Sequence, residues 1–294
     1  MRIGTAEPNS TFLSQGRALK TVLESRGIKE PIDVLESPGA STENAMKLQR
    51  GELDFGFMAS NWIGRARQGQ APFEAPIDLR MVALANAGPL FFIARKNSPI
   101  ASVSDLRGKK IAVGLEKSGM KQHSISILGG LGIDFTPVHL DFLHGGQALE
   151  AGEVDAQLQC PIPNPIMTDL DGRTELKVLP YEAGQLDTVL SKVSYYRPVT
   201  MRKGALRALT QDVAQPAVVN VFVAHAATDA NMVNKVAHVF FEDAKRLPQL
   251  NALYNGLPEL FEPLRTQGAA AFEFDGVRLH DGAAAAYREL GLLA

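Results

Sequence analysis

One cysteine, one tryptophan and a charge excess of only two set the first limits on this chain. With Cys160 alone, neither an intramolecular disulfide nor a cysteine-built metal site can form. Thirty basic residues stand against thirty-two acidic ones with no long run of either sign, so nothing marks a nucleic acid as partner. No apolar run approaches the roughly 18–20 residues that span a bilayer. Met1-Arg2 runs straight into Ile3-Gly4-Thr5, without the basic start, apolar run and small-residue cleavage site of a signal peptide. That leaves a cytosolic protein, or the mature form of an exported one.

Enzyme signatures are missing as well. There is no phosphate-binding Gly-x-x-x-x-Gly-Lys-Ser/Thr loop, no Gly-x-Gly-x-x-Gly opening a helix and no Gly-x-Ser-x-Gly elbow. The six histidines are scattered; the closest pair, His139 and His144, has no carboxylate at metal-ligand spacing and reads as structural or surface. Cys160 has no neighbouring base in sequence to activate it and reads as a small cleft-lining or buried residue. The expectation is a protein that is not an enzyme and carries neither metal nor cofactor.

What is present is a phrase said twice. Gly51-Glu52-Leu53-Asp54 precedes the apolar run Phe55-Gly56-Phe57-Met58, and Gly152-Glu153-Val154-Asp155 precedes Ala156-Gln157-Leu158-Gln159. Each begins where a helical stretch stops at a glycine, which takes the left-handed conformation without steric cost. The 294 residues exceed what one core usually serves, and 45% hydrophobic with 21% charged residues is ordinary for a globular chain. Two α/β lobes with a ligand cleft between them are therefore expected, lobe 1 from 1–92 with 207–294 and lobe 2 from 93–206.

Hydrophobic periodicity fills in the plan. Strands are expected at Ile3, 32–35, 55–58, 79–85, 90–94, 111–114, 135–143, 176–180 and 217–224, with 195–200 extended. Helices are expected after Ser10, Ser41 and Ser118, from Gly145, around 186–190, and over much of 233–290, while 64–78 reads as a surface excursion. Alternation of this kind argues for parallel sheets.

Three loops between a strand and a helix, 4–10, 37–41 and 116–119, offer hydroxyls, free N–H groups and a positive helix end, which together bind anions without metal. Ligands of open α/β sheets bind at the carboxyl ends of strands, where such loops lie. The candidate ligand-binding residues are Thr5, Glu7, Asn9 and Ser10 in the first loop, and Ser41 with Asn44 at the second. Lys117, Ser118, Gly119 and Lys121 surround the third. Ser60 and Asn61 interrupt the chain after the first repeat phrase, and Pro161 and Asn164 after the second. Each serine can equally serve as a simple helix cap. Trp62 and Phe12 are further candidates for stacking on a ligand.

Several of these stretches, in this order, resemble the TAXI family of solute-binding proteins, the receptors of TRAP transporters. The likeness runs through Ile3-Gly4-Thr5, Gly39-Ala40-Ser41-Thr42-Glu43-Asn44, Ser98-Pro99-Ile100, Asp105-Leu106-Arg107-Gly108-Lys109-Lys110, Ser118-Gly119, Tyr196-Arg197-Pro198-Val199-Thr200 and Leu279-His280-Asp281-Gly282-Ala283 before Tyr287. Where that family has Gly-Thr-Gly-Gly, this chain has the stiffer, acid-bearing Gly4-Thr5-Ala6-Glu7. The resemblance implies a type II periplasmic-binding-protein fold, a periplasmic location, no cofactor and integral membrane TRAP subunits as partners. The ligand expected is a small organic acid whose carboxylate meets Ser118, Gly119 and the start of that helix, with Ser41 and Asn44 opposite and Lys121 or Lys117 adding charge; Tyr196 is a further candidate binding residue. An amino-acid ligand would also need Glu7 or Glu43 to accept from its ammonium group. An ABC importer of nitrate, sulfonate or pyrimidine precursors uses the same fold, and a cytosolic sensor or enzyme is the remaining alternative.

Overall fold

The alternating pattern becomes eleven strands and eleven α-helices among the residues that the computed structural model describes, 1–8, 10–116 and 118–294. The candidates Asn9 and Lys117 lie outside the described residues. By its contacts the chain divides into two compact units, Met1–Ala87 with Val219–Ala294, and Gly88–Val218. From sequence the exchange points are expected at 92/93 and 206/207; the units exchange at 87/88 and 218/219. The cause is strand pairing, since Phe91–Arg95 is zipped antiparallel to Ala156–Gln159, and Tyr196–Met201 to residues 213–218.

The first unit begins with β1 (Arg2–Gly4), α1 (Thr11–Ser25), β2 (Asp33–Leu35), α2 (Ala40–Gln49), β3 (Phe55–Ala59) and α3 (Ile63–Gln68), then enters β4 (Leu79–Pro89). The second unit takes over within β4 and continues through β5 (Phe91–Arg95), β6 (Lys110–Ala112), α4 (Gly119–Gly130), β7 (Thr136–Val138), α5 (Phe142–Ala151) and β8 (Ala156–Gln159). After them come α6 (Pro165–Arg173), β9 (Leu176–Val178), α7 (Gln185–Lys192) and β10 (Tyr196–Met201). The chain returns to the first unit within β11 (Val213–His225) and ends in α8 (Ala230–Glu242), α9 (Leu247–Leu250), α10 (Leu257–Gln267) and α11 (Asp281–Glu289).

In the first unit β1 lies parallel between β2 and β3, and the last part of β11 runs antiparallel on β3, Phe222 opposite Phe57. Phe57 packs edge-on against Phe222 with ring centroids 4.8 Å apart and stacks on Phe12 at 5.7 Å, so Phe12 belongs to the core. The second unit orders its strands β7-β6-β8-β5-β9, with β6, β7 and β8 parallel. Its sheet is apolar on both faces, as a helix-covered parallel sheet must be. Ile127, Leu128 and Val189 of α4 and α7 cover one face, and Leu149, Met167 and Leu170 of α5 and α6 the other.

The repeated phrase performs one task in both units. Gly51 and Gly152 end α2 and α5 at φ +67° and +80°, and the next N–H, of Glu52 or Glu153, closes on the carbonyl of Lys47 or Ala148 at 2.9 Å. Leu53 and Val154 are then buried. The aspartates tie the new strand to its neighbour: Asp54 accepts from the Arg2 amide at 2.7 Å, and Asp155 from the Lys110 amide at 2.9 Å. A pattern this regular serves register rather than ligand.

Three expectations change. The strand expected over 135–143 is confined to Thr136–Val138, because Asp141 caps α5 by accepting from the His144 amide at 2.8 Å and the helix begins at Phe142, before Gly145. Ser41 does not cap α2: the helix starts two residues earlier, at Ala40, and Gly39 in the cap position donates to Glu43 Oε2 at 2.7 Å. Residues 64–78 are not merely a surface excursion, since α3 occupies their start and Phe73 and Ile77 are buried.

Two outcomes follow from this packing. A methyl group on Gly282 would sit 2.2 Å from the Ala230 carbonyl oxygen, a backbone atom that cannot step aside. Gly282→Ala is therefore expected to force α11 off α8 and cost about 1–3 kcal/mol in denaturant unfolding; an unchanged midpoint would show that the helices are not in such close contact. Burial alone pushes the Asp54 carboxyl up, but hydrogen bonds from the Arg2 side chain and backbone outweigh it and hold it below its ordinary 3.8. A depressed folded value gives stability that is complete above the unfolded value and lost as pH falls through the folded one. The stability gap between wild type and Asp54→Asn should hold steady between about pH 7 and 5 and close below about pH 4.

Candidate functional site

In the first unit the carboxyl ends of β1 and β3 gather a set of polar side chains. Thr5, fully buried, donates from Oγ1 to the Leu35 carbonyl at 2.8 Å. Asn44, on the inner face of α2, donates to the carbonyls of Thr5 at 2.8 Å and Phe57 at 2.9 Å, and its Oδ1 is buried without a partner. Gly4 has to be glycine here, because a methyl group would lie 2.4 Å from that oxygen. Ser41 accepts from the Ala59 amide at 3.0 Å, and Ser60 from the Val219 amide at 3.1 Å. Thr5, Ser41 and Asn44 are thus brought together, with their hydrogen bonds largely committed to backbone. Ser10 caps α1, accepting from Leu13 at 3.2 Å, whereas Glu7 is exposed and Asn61 half-buried.

The same unit holds a polar cluster that candidate loops do not include. Gln15 and Asn220 both donate to Asn86 Oδ1, at 2.9 and 3.1 Å, and Gln15 Oε1 is buried without a partner. The available signal was a polar residue on the apolar stripe of α1, between Phe12 and Leu19. Trp62 meets Phe73 edge-on at 6.4 Å, with the Arg65 guanidinium 5.4 Å from its ring centre.

In the second unit, helices α4, α5 and α6 leave from the carboxyl ends of the parallel strands β6, β7 and β8, so their positive ends share one edge of the sheet. Ser118, Asp141 and Asn164 cap them. Gly114 makes the turn after β6 at φ +84°, and a methyl group there would stand 2.6 Å from Ser118 Oγ. Ser118 accepts from the Lys121 amide at 3.4 Å, while Lys121 Nζ is engaged by Glu116, whose other oxygen lies 2.7 Å from His139. Lys121's hydrogen bond holds the Glu116 carboxyl below its ordinary range. Asn164 Oδ1 accepts from Ile166 at 3.0 Å and Met167 at 3.3 Å; Pro161 is half-buried in the turn before it.

Tyr196, buried at the start of β10, holds His123 of α4 by a 2.7 Å bond between its hydroxyl and Nδ1. Burial pushes the His123 pKa down to about 4, so the ring is neutral at physiological pH. Burial also raises the Tyr196 and Tyr181 hydroxyls and pushes the Cys160 thiol up to about 12, which removes Cys160 as a nucleophile. Gln159 is fully buried with neither amide atom paired. His123 and Gln159 sit in an apolar helix stripe and a buried strand, where polarity was the only flag.

His139 and His144 go to separate carboxylates, Glu116 and Asp141. Among the described residues no three histidine, cysteine, aspartate or glutamate side chains gather as a metal site would require. A surface groove of about 520 Å³ beside the end of α1 and α8 is lined by Arg26, Lys29, Lys235, His238 and Glu242 and shares no residue with these sets.

A family model described as the NMT1-like family matches residues 3–291. The chain belongs to the NMT1-like family. Solved structures share the architecture of this NMT1-like chain. A TctC solute-binding protein from Polaromonas aligns with a TM-score of 0.62 at 13% identity, over 88% of this chain and 86% of that one. The periplasmic sulfonate-binding protein SsuA of a putative sulfonate ABC transporter from Methylobacillus flagellatus KT aligns at 0.56 and 13% identity, over 99% and 94%. At such identities the likeness is one of fold, and that fold is the type II periplasmic-binding-protein fold. The NMT1-like chain is thus built as periplasmic solute-binding proteins are, and no helix among its described residues is long and apolar enough to cross a membrane.

Two measurements check this geometry. Asn44→Ala should strand two buried carbonyls and cost about 1–3 kcal/mol each before relaxation, seen as an early unfolding midpoint. For His123 the folded pKa lies below the unfolded 6.5, so the unfolded chain takes up the proton first on acidification. His123 should therefore subtract stability progressively as pH falls from 6.5 to about 4, and its ring protons should titrate near 4 by NMR. A midpoint near 6.5 would contradict the burial.

Proposed function

We propose that this NMT1-like protein is the extracytoplasmic receptor of a TRAP transporter of the TAXI kind, and that it captures a small organic acid for delivery to integral membrane subunits. The observation that carries this reading is the start of α4. It offers the positive end of a twelve-residue helix behind a serine cap, with a neutral histidine and a tyrosine beside it. Donors gathered at the positive end of a helix suit the capture of an oxyanion. Supporting it, the resemblance to TAXI proteins runs nearly the whole chain. Of the two acids considered for an ammonium group, Glu43 is occupied by Lys47 at 2.7 Å and by the Gly39 amide, which leaves Glu7. A dicarboxylate or oxo acid therefore fits as readily as an amino acid.

Magnitudes allow it. Micromolar affinity requires about 8 kcal/mol, and charge-assisted hydrogen bonds contribute roughly 1.5–3 kcal/mol each. Four or five such bonds offset desolvation without covalent chemistry. A second reading, an ABC importer of sulfonates, draws support from the fold shared with SsuA.

The test is thermal unfolding against dicarboxylates, oxo acids, amino acids and sulfonates. A true ligand at a hundred times its dissociation constant should add about 2.7 kcal/mol. The Ser118→Ala, Lys121→Ala double variant should lose that gain, beyond the roughly 1 kcal/mol its missing cap costs without ligand. A sulfonate as sole ligand would favour the ABC reading. No gain with any acid, together with no acid released from the denatured protein in mass spectrometry, would overturn the assignment.

A further inference from the structure

Gln15, Asn86 and Asn220 meet inside the first unit, on the face of its sheet that α1 covers. Phe12 of α1 stacks on Phe57, and Phe57 meets Phe222. Asn220 comes two places before Phe222 on β11 and stands opposite Ala59, the last residue of β3. Side chains two apart on a strand share a face, so the carboxamides lie beyond the aromatic core, at the carboxyl edge of the parallel pair β1 and β3. That is the edge at which open α/β sheets take their ligands. Among the described residues no charged side chain bonds to these three amides.

Their bonding is incomplete in a defined way. Asn86 Oδ1 accepts from Gln15 at 2.9 Å and from Asn220 at 3.1 Å, which leaves Gln15 Oε1 and Asn86 Nδ2 flanking the first of these bonds. Gln15 is fully buried and its Oε1 has no partner; Asn86 is 4% exposed and its Nδ2 donates to no described residue. Asn220 is half-buried, so water can serve its remaining atom. A sealed amide oxygen without a donor is costly unless something arrives to meet it. The free atoms of Gln15 and Asn86 are one acceptor and one donor, and turning all three amides over exchanges the two roles but leaves one of each. A hydroxyl answers both at a single oxygen. A methylene answers neither and a carbonyl oxygen only accepts, while an ammonium group only donates and would enter a neutral cluster that holds no carboxylate.

Resting on the receptor reading above, we propose that the acid captured is a hydroxy acid, and that Gln15 and Asn86 form the subsite for its hydroxyl group. Gln15 is then a specificity-determining residue: an acid without the hydroxyl leaves a buried amide unpaired, and is rejected for that reason rather than by size. Asn220 holds Asn86 in place from the other side.

The experiment is calorimetric titration with matched acids that differ in one group: propionate, lactate, pyruvate and alanine; succinate, malate, oxaloacetate and aspartate; glutarate, 2-hydroxyglutarate, 2-oxoglutarate and glutamate. In whichever set wild type binds, the hydroxyl member should bind at least about tenfold more tightly than the others. Gln15→Met, of similar length but without the amide, should bind the hydroxyl and plain members alike, with affinity for the plain member kept within about twofold. A plain, oxo or ammonium member that binds wild type as tightly as the hydroxyl member would overturn the proposal. So would a preference that Gln15→Met leaves unchanged, or a variant that weakens both members together, which marks a role in packing alone. Should the variant fail to fold, a crystal structure of wild type with the hydroxyl member decides: its hydroxyl oxygen between Gln15 and Asn86 supports the subsite, and an ordered water only at that place overturns it. If no set binds while ethanesulfonate or another acid raises the unfolding temperature, this proposal falls and the receptor reading stands. No acid bound in any test, with none released from the denatured protein, would end the receptor reading, and this proposal with it.

Discussion

Both sheets depend on how a helix is stopped and a strand is started. In each unit a glycine in the left-handed region ends the helix, an aliphatic residue drops into the core, and an aspartate accepts from the first residue of the neighbouring strand. Because side chains alternate along a strand, a one-residue slip would turn every apolar side chain of β3 or β8 to the wrong face. The aspartate bond pins the first residue of the neighbouring strand and so opposes such a slip. With register set, the carboxyl ends of the parallel strands fall level, and the helix starts that follow are brought to one edge of each sheet.

The chemistry at that edge of the second unit is one of donors with little net charge. Glu116 stands between Lys121 and His139, and Asp141 accepts from His144. Charges so compensated exert little pull at a distance, and among the described residues what is left to act is the fixed dipole of α4 and the hydrogens of neutral groups near its start. Recognition of that kind favours shape and bond direction over simple attraction. For the proposed receptor it would be the means of discriminating between acids of equal charge.

Much of this was legible in the sequence. Binary pattern gave away the alternation of strands and helices, and the repeated phrase announced two units of one plan; Ser10, Ser118 and the Pro-rich turn at 160–165 stood where helices begin. What was hidden depends on which face a residue turns. Ser41 looks like a cap because a serine precedes an apolar stripe, yet the helix gains two residues at its front and the hydroxyl reaches across to Ala59. Gln15, Asn86 and Asn220 come from three distant segments and become a cluster only once folded. Likewise, nothing in the spacing of His123 and Tyr196 says that they touch. Sequence pattern reports which residues avoid water, and is silent about polar groups that avoid it together.

The second unit interrupts the first. β11 supplies β3 with its antiparallel neighbour, and the part of β11 that pairs with β3, Asn220 to Val223, is made only after the whole of residues 88–218. On a ribosome, therefore, the amino-terminal strands β1, β2 and β3 emerge with one flank of their sheet open, while the inserted unit is contiguous and has every strand of its own five-stranded sheet to hand. Assembly is expected to be inverted relative to synthesis: the segment translated in the middle matures first, and the oldest part of the chain waits for the youngest. During that interval the bare edge of β3 is open to wrong pairing, and a chaperone would find its work there.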